Sequence, residues 1–245
     1  MTEDSRPIIQ AQQLVKAYGL LPVLRGLDLD IERGSFVALL GPNGSGKSTL
    51  LRLMTGLLRP NAGRLSIGGW ELPGEAAAVR GQIGLVSHRL LLYDNLTARE
   101  NLLFFARLYN LPNDSRDERI SESLRRVGLA KRAYDLTRTF SRGMQQRLSI
   151  ARALLHDPDV LLFDEPYTGL DQDAAETLDS LLDEARSGGR TIVMATHQLE
   201  RAARLADRTV ILSRGVVGYD ELTSGKEPRQ IVADYAAITG KATAR

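Results

Sequence analysis

Residues Gly41, Pro42, Asn43, Gly44, Ser45, Gly46, Lys47, Ser48 and Thr49 fit the pattern G-x-x-x-x-G-K-[ST] and follow directly on the apolar run "SFVALL". Such a loop is suited to phosphate. Its glycines let successive backbone N–H groups converge on phosphate oxygens, and a helix starting near Lys47 would add the positive end of its dipole. Lys47 is placed to reach the outer phosphates of a nucleotide, and Ser48 to give its hydroxyl oxygen to a Mg2+ ion bridging them. The alternative is a glycine-rich turn that only reverses the chain, and the lysine, the hydroxyl and the preceding strand together argue against it.

Two further stretches carry reactive side chains. "LLFDEP" ends an apolar run in Asp164 and Glu165. Open α/β sheets bind their ligands at the carboxyl ends of their strands, so Asp164 is read as a Mg2+ partner, direct or through water, and Glu165 as the base for an attacking water. Two surface acids beside a proline turn are the plainer possibility. His197 follows "TIVMAT", which would bring it to the same edge, where an imidazole can hydrogen-bond a terminal phosphate.

These residues need a sheet to hold them. "FVALL", "VLLF" and "TIVMA" are apolar without alternation, as expected of strands buried on both faces of a parallel sheet, and each precedes a loop and a helical pattern. "PIIQAQQLVKAY" and "VLRGLDLDIERG" alternate in part and read as antiparallel strands, with "RLSIGGWEL" as one further strand and "QIGLV" as another. From about Leu90 to His156 the texture turns helical: "TARENLLFFARLYNLP" stops at a proline and "DSRDERISESLRRVGL" opens on a capping-type Asp-Ser pair. "QLERAARLAD" reads as a helix, "TVILSRGVVGYD" as a hairpin turning at Arg214 and Gly215, and the tail as one helix that then frays. The expected organisation is a single α/β unit. Residues 1–88 and 157–217 form a mostly parallel core sheet with an antiparallel β subdomain, residues 89–156 an inserted helical subdomain, and residues 218–245 a tail.

Composition narrows the partners. The 245 residues hold 32 basic and 30 acidic side chains, and a net charge of +2 is too small to argue for nucleic acid. With no cysteine, disulfides and thiolate metal sites are excluded. The start "MTEDSRPIIQ" lacks the basic and apolar segments of a secretory signal, and no window approaches ~18 uninterrupted apolar residues. The expected location is therefore the cytoplasm, with any membrane channel supplied by another chain.

The order of phosphate loop, helical insert, "FSRGMQQRLSIARALLHDPDVLLFDEPYTGLD", strand and histidine resembles the nucleotide-binding subunits of ATP-binding cassette (ABC) transporters, over roughly Ile8 to Val217. The resemblance implies an ABC-type P-loop NTPase fold, ATP and Mg2+ as ligands, and a pair of cassettes sandwiching two ATP. It also implies a separate integral membrane permease, with the chain peripheral on the cytoplasmic face. In that family Ser141 and Gly143 would touch the terminal phosphate bound by the opposite subunit, and Asp171 would run across the seam; Asp171 also suits a helix N-cap. Tyr18 matches the ring that stacks on adenine, with a core tyrosine as the alternative.

Arg142 and Met144 depart from the family's Leu-Ser-Gly-Gly-Gln signature, and His88 stands where the family has a glutamine contacting Mg2+ and water. His88 is retained as a metal-site candidate, with a plain loop residue as the alternative. Leu90, Leu91, Leu92 and Tyr93 would face the permease or pack in the core. "SHRLLLYDNLTARENLLFFARLY" with "GMQQRLSIARALLHDP" looks like the single-cassette ATPases of export systems, particularly the haem-exporter ATPase of cytochrome c maturation. A soluble ABC ATPase acting in translation or DNA repair is the competing class; such proteins usually carry paired cassettes, coiled coils or zinc modules.

Overall fold

A computed structural model describes residues 7–223 and 226–240. The acidic start of the chain and the frayed end expected of the tail lie outside the described residues. Strands β1 (Ile9–Tyr18) and β2 (Leu21–Ile31) form the expected antiparallel pair, and β3 (Phe36–Leu40) leads into α1 (Lys47–Met54). "RLSIGGWEL" is two strands, β4 (Ala62–Ile67) and β5 (Trp70–Leu72), because Gly68 and Gly69 take φ of 59° and 86° and fold the run into a hairpin. After α2 (Ala76–Gly81) and β6 (Ile83–Val86), helix α3 (Ala98–Leu108) starts in a capping box formed by Thr97 and Glu100.

Helix α4 (Asn113–Arg126) begins one residue before the expected Asp-Ser pair. Pro112 occupies its N-cap, and Asp114 accepts only locally, from Ser115 N at 3.0 Å. A proline suits that place, where its missing N–H would have no helical partner. Then follow α5 (Arg142–Leu154), β7 (Val160–Asp164), α6 (Gln172–Ser187), β8 (Thr191–Ala195), α7 (Leu199–Leu205), the hairpin of β9 (Arg208–Ser213) and β10 (Val216–Leu222), and α8 (Pro228–Thr239).

Among the described residues one sheet runs β2-β1-β4-β5, all antiparallel, and the other runs β10-β9-β3-β8-β7-β6, parallel except for edge strand β10. Every residue of β3, β7 and β8 is buried. Alternation divides them: Phe36, Ala38, Leu161, Phe163, Ile192 and Met194 face one apolar core with the helices, while Val37, Leu39, Val160, Leu162 and Val193 face a second core shared with α1 and the antiparallel sheet. Because β3, β8 and β7 are neighbours that run parallel, their carboxyl ends share one edge. The phosphate loop, Asp164 and His197 all leave the sheet there.

The helices α3 to α5 meet the sheet in part through half-buried polar groups. His156, after α5, stacks on Tyr109 with ring centres 3.7 Å apart, and its Nε2–H donates to the Ile83 carbonyl at 3.1 Å. Its Nδ1 is buried without a partner. Burial first, together with neighbouring Arg152, holds this imidazole down at about 4, against an ordinary value of 6.5. The unfolded chain therefore binds a proton between those values that the folded chain refuses. The contribution is complete above pH 6.5 and is lost as pH falls towards 4, up to about 3 kcal/mol. In urea unfolding between pH 7 and 4.5, His156→Gln should lose less stability than the unsubstituted protein. Parallel pH dependences would show that His156 is not the group responsible.

Candidate active site

Gly41 starts the phosphate loop at φ 147°, and a Cβ there would lie 2.4 Å from the Leu212 carbonyl oxygen, so β9 restricts this position to glycine. Gly46, in a left-handed conformation, sits at the N-cap of α1, and no side chain caps that helix. The first-turn N–H groups and the helix dipole are thus directed out of the loop, as an anion site requires. Ser45 Oγ, at the base of the loop, is buried without a partner. Lys47 is 8% exposed, and its ammonium donates to the carbonyls of Gly41 at 2.6 Å and Pro42 at 3.3 Å. Burial lowers its pKa, while Glu165 and Asp164 oppose that shift.

Ser48 Oγ donates to Asp164 Oδ1 at 2.9 Å, which joins the start of α1 to the end of β7. These two hard oxygen donors suit a Mg2+ ion. Among the described residues no group of three or more His, Cys, Asp and Glu side chains could hold a metal by itself.

Glu165 adopts φ 53°, unusual for a residue with a side chain, and its N–H donates to the Ala195 carbonyl at 2.9 Å. That hydrogen bond continues the pairing of β7 with β8 one residue past the sheet. The turn brings Glu165 Oε2 within 2.8 Å of His197 Nδ1, with the carboxylate 24% and the imidazole 68% exposed. Strain kept beside reactive groups is a feature of sites where geometry has to be held. Asn43 to Thr49, Asp164 and Glu165 line one cleft of about 320 Å³. Val23 also lines it, and no sequence signal marked this residue. Its place follows from β2 passing behind the loop, where a Cβ on Gly46 would collide with Leu24.

The other expected residues stand apart from this cleft. Tyr18 is 44% exposed at the end of β1, which removes the core-tyrosine alternative, and it shares its hairpin with Val23. His88 does not line the phosphate cleft; it shares a neighbouring one with Asp164, Leu51 and Ser87. Ser141 is the N-cap of α5, its Oγ accepting from Met144 N at 3.3 Å, and Gly143 lies in the first turn, close to Gly169 O. Asp171 caps α6 by accepting from Ala174 N at 2.9 Å, so its N-cap reading holds. Of the four residues after Arg89, Leu91 and Tyr93 are exposed, whereas Leu92 packs against the helical core.

The segment carrying His88 is held by α5. Arg142 Nη2 donates to the His88 carbonyl at 3.3 Å, Ser149 Oγ to the Leu90 carbonyl at 3.2 Å, and Arg152 Nη2 to the Leu85 carbonyl at 2.6 Å. Arg152 is 5% exposed, and burial lowers its pKa to about 10. All three bonds end on main-chain oxygens, so the identity of side chain 88 does not enter them. In sequence, Arg152 looks like an ordinary cation on a helix face.

A family model described as ABC transporter matches residues 24–168, from β2 through the Asp164–Glu165 pair. The linearmycin resistance ATP-binding protein LnrL of Bacillus subtilis is 36% identical over 208 residues, covering 85% of this chain and 67% of that protein. The Nod factor export ATP-binding protein I of Ralstonia nicotianae is 39% identical over 211 residues, covering 86% and 66%. The chain thus spans about two thirds of the length of either relative. Among solved structures, an ATP-binding subunit of an ABC transporter superposes with a TM-score of 0.86 at 30% identity, covering 94% of this chain and 99% of that one. The dimeric post-hydrolysis state of the ATP-binding cassette MJ0796, bound to ADP and Pi, superposes with a TM-score of 0.82 at 31% identity, covering 89% and 100%. With a phosphate cradle, a hydroxyl–carboxylate pair and a carboxylate bonded to histidine at one sheet edge, the chain belongs to the ABC transporter family, as an ATP-binding cassette ATPase.

Proposed function

We propose that this cassette is the motor of an export system, working in pairs beneath a separate membrane-spanning permease on the cytoplasmic face. The observation that carries the reading is the Glu165–His197 pair set at 2.8 Å beside the phosphate cleft. In it, Lys47 and the loop N–H groups hold the triphosphate, Glu165 orients and deprotonates the attacking water, and His197 donates to the terminal phosphate. Ser48 and Asp164 would hold Mg2+, which supplies charge neutralisation between phosphate oxygens. Tyr18 provides a ring for adenine.

Ser141 and Gly143 lie outside the cleft of their own chain, at a helix start suited to an anion, which supports completion of the site by a second cassette. Asp171 would border that seam. His88 is proposed to act beside Asp164 through their shared cleft. Residues 89–156 are taken as the subdomain that moves with the permease, and no described helix is long and apolar enough to cross a membrane itself.

Export as the direction is supported by the relative named for Nod factor export. A haem cargo rests on the loop and helix stretches alone, and the relatives named for linearmycin resistance and Nod factor export lend it no support. The paired mechanism is tested by dilution. Specific ATPase activity should fall as the protein is diluted into monomers, and a constant rate in a strictly monomeric preparation would sink it. Purification from detergent-solubilised membranes should bring down a polytopic partner, whose cargo can then be assayed with haem as one substrate. Recovery with ribosomes or DNA would favour the soluble-ATPase class instead.

A further inference from the structure

Asp179 takes no part in the chemistry above, yet it joins the segments that carry Glu165 and His197. Tyr167, buried and two residues after Glu165, donates its hydroxyl to Asp179 Oδ1 at 2.7 Å. Asp179, halfway along α6, also accepts from Arg201 Nη1 at 3.3 Å and Arg204 Nη2 at 2.8 Å, both on α7. The Arg201 guanidinium lies 4.4 Å from the centre of the Tyr167 ring, so that cation is held between an aromatic face and a carboxylate. The Asp179 side chain is 14% exposed and that of Arg201 24%, so this pair is screened less than a surface pair, whereas Arg204 is exposed and its pair is screened more. At the far end of α7, Arg186 of α6 donates to the Leu205 carbonyl at 3.5 Å and pairs with Asp207, which also accepts from Phe36 N at 2.9 Å. Helix α6 therefore holds α7 from its third residue to its last.

Helix α7 is held by this grip together with its buried Leu199, Ala202 and Leu205. It has seven residues, no side chain caps its start, and so short a helix has little stability of its own. It begins two residues after His197, whose side chain is 68% exposed and takes its aim from the backbone beneath it and from Glu165. On the other side, Tyr167 leaves the strained turn at Glu165.

We propose that Asp179 is a positioning residue for ATP hydrolysis: through Tyr167 on one side and Arg201 and Arg204 on the other, it sets the distance between Glu165 and His197. This rests on the roles proposed for those two residues. The Asp179 carboxylate itself touches neither nucleotide nor water.

The test uses the purified full chain with ATP and Mg2+, counting ATP-competent sites by equilibrium dialysis before turnover is measured. Asp179→Asn should lower kcat per competent site by about tenfold or more, the scale expected of a displaced reacting group, with KM changed less than about twofold. Asp179→Glu, which keeps the charge, should recover part of the loss. Tyr167→Phe, which keeps the ring under Arg201, should show a smaller fall and guards against a folding failure in the Asn variant. Amide exchange over 197–205 should quicken in Asp179→Asn.

A merely structural contact would reduce the number of competent sites and leave kcat per site unchanged. That result, with Glu165→Gln and His197→Ala both strongly impaired, would overturn the inference. Normal turnover in Glu165→Gln or His197→Ala would instead remove the reading of the site, and this inference with it.

Discussion

Glu165→Gln is expected to bind ATP normally and to hydrolyse it about 10²- to 10⁴-fold more slowly, the range lost when a positioned general base is removed. The amide is nearly isosteric with the carboxylate and can still bond His197 Nδ1, so the turn at φ 53° and the 2.8 Å contact need not change. What disappears is the group that accepts a proton. Binding depends on other atoms, namely the loop N–H groups, Lys47 and Ser48. With chemistry blocked and binding intact, the protein should accumulate as an ATP-bound dimer on size-exclusion chromatography. Turnover at the unsubstituted rate would take Glu165 out of the base role.

Lys47→Met should fail at the other step. Lys47 is buried at the loop, and Glu165 and Asp164 both act on its charge. Removing that charge leaves two carboxylates facing an incoming polyanion with no cation of this chain between them, and a buried charge left without its partner is costly. ATP affinity should drop by about 100-fold or more, measured by equilibrium dialysis, with no ATP-dependent dimer formed. Lys47→Arg should not restore it, because the compact ammonium donates to the Gly41 carbonyl at 2.6 Å and the Pro42 carbonyl at 3.3 Å, and a planar guanidinium on a longer stem does not reproduce that point charge. Affinity within threefold of the unsubstituted chain in Lys47→Met would refute the assignment. Together the two variants separate holding the nucleotide from cleaving it.

Much of the central sheet was readable along the chain. Strands β3, β7 and β8 are covered on both faces, so they appear as unbroken apolar runs, and the polar residues ending them stand out by contrast. That contrast marks Asp164, Glu165 and His197, whereas Lys47 and Ser48 are marked by the G-x-x-x-x-G-K-[ST] spacing that follows β3. The hairpin inside "RLSIGGWEL" was less legible, since paired glycines in an apolar stretch fit either a bulge or a turn until the partner strand is known. The start of α4 lies one residue before the Asp-Ser pair for a related reason: such a pair caps only when the chain enters the helix at that point, and here Pro112 sets the entry.

The sequence alone determined which polar side chains gather at one edge of the parallel sheet, because strand burial, loop flexibility and a helix start are local properties written in consecutive residues. Only the tertiary structure decided that His88 lies in a neighbouring cleft, that Arg152 is buried against main-chain oxygens, and that Asp179 ties the Glu165 segment to the His197 helix. Those contacts join residues far apart in the chain, and several end on backbone carbonyls. A carbonyl is the same atom in every residue, so no pattern of residue types reveals which one a distant side chain will find.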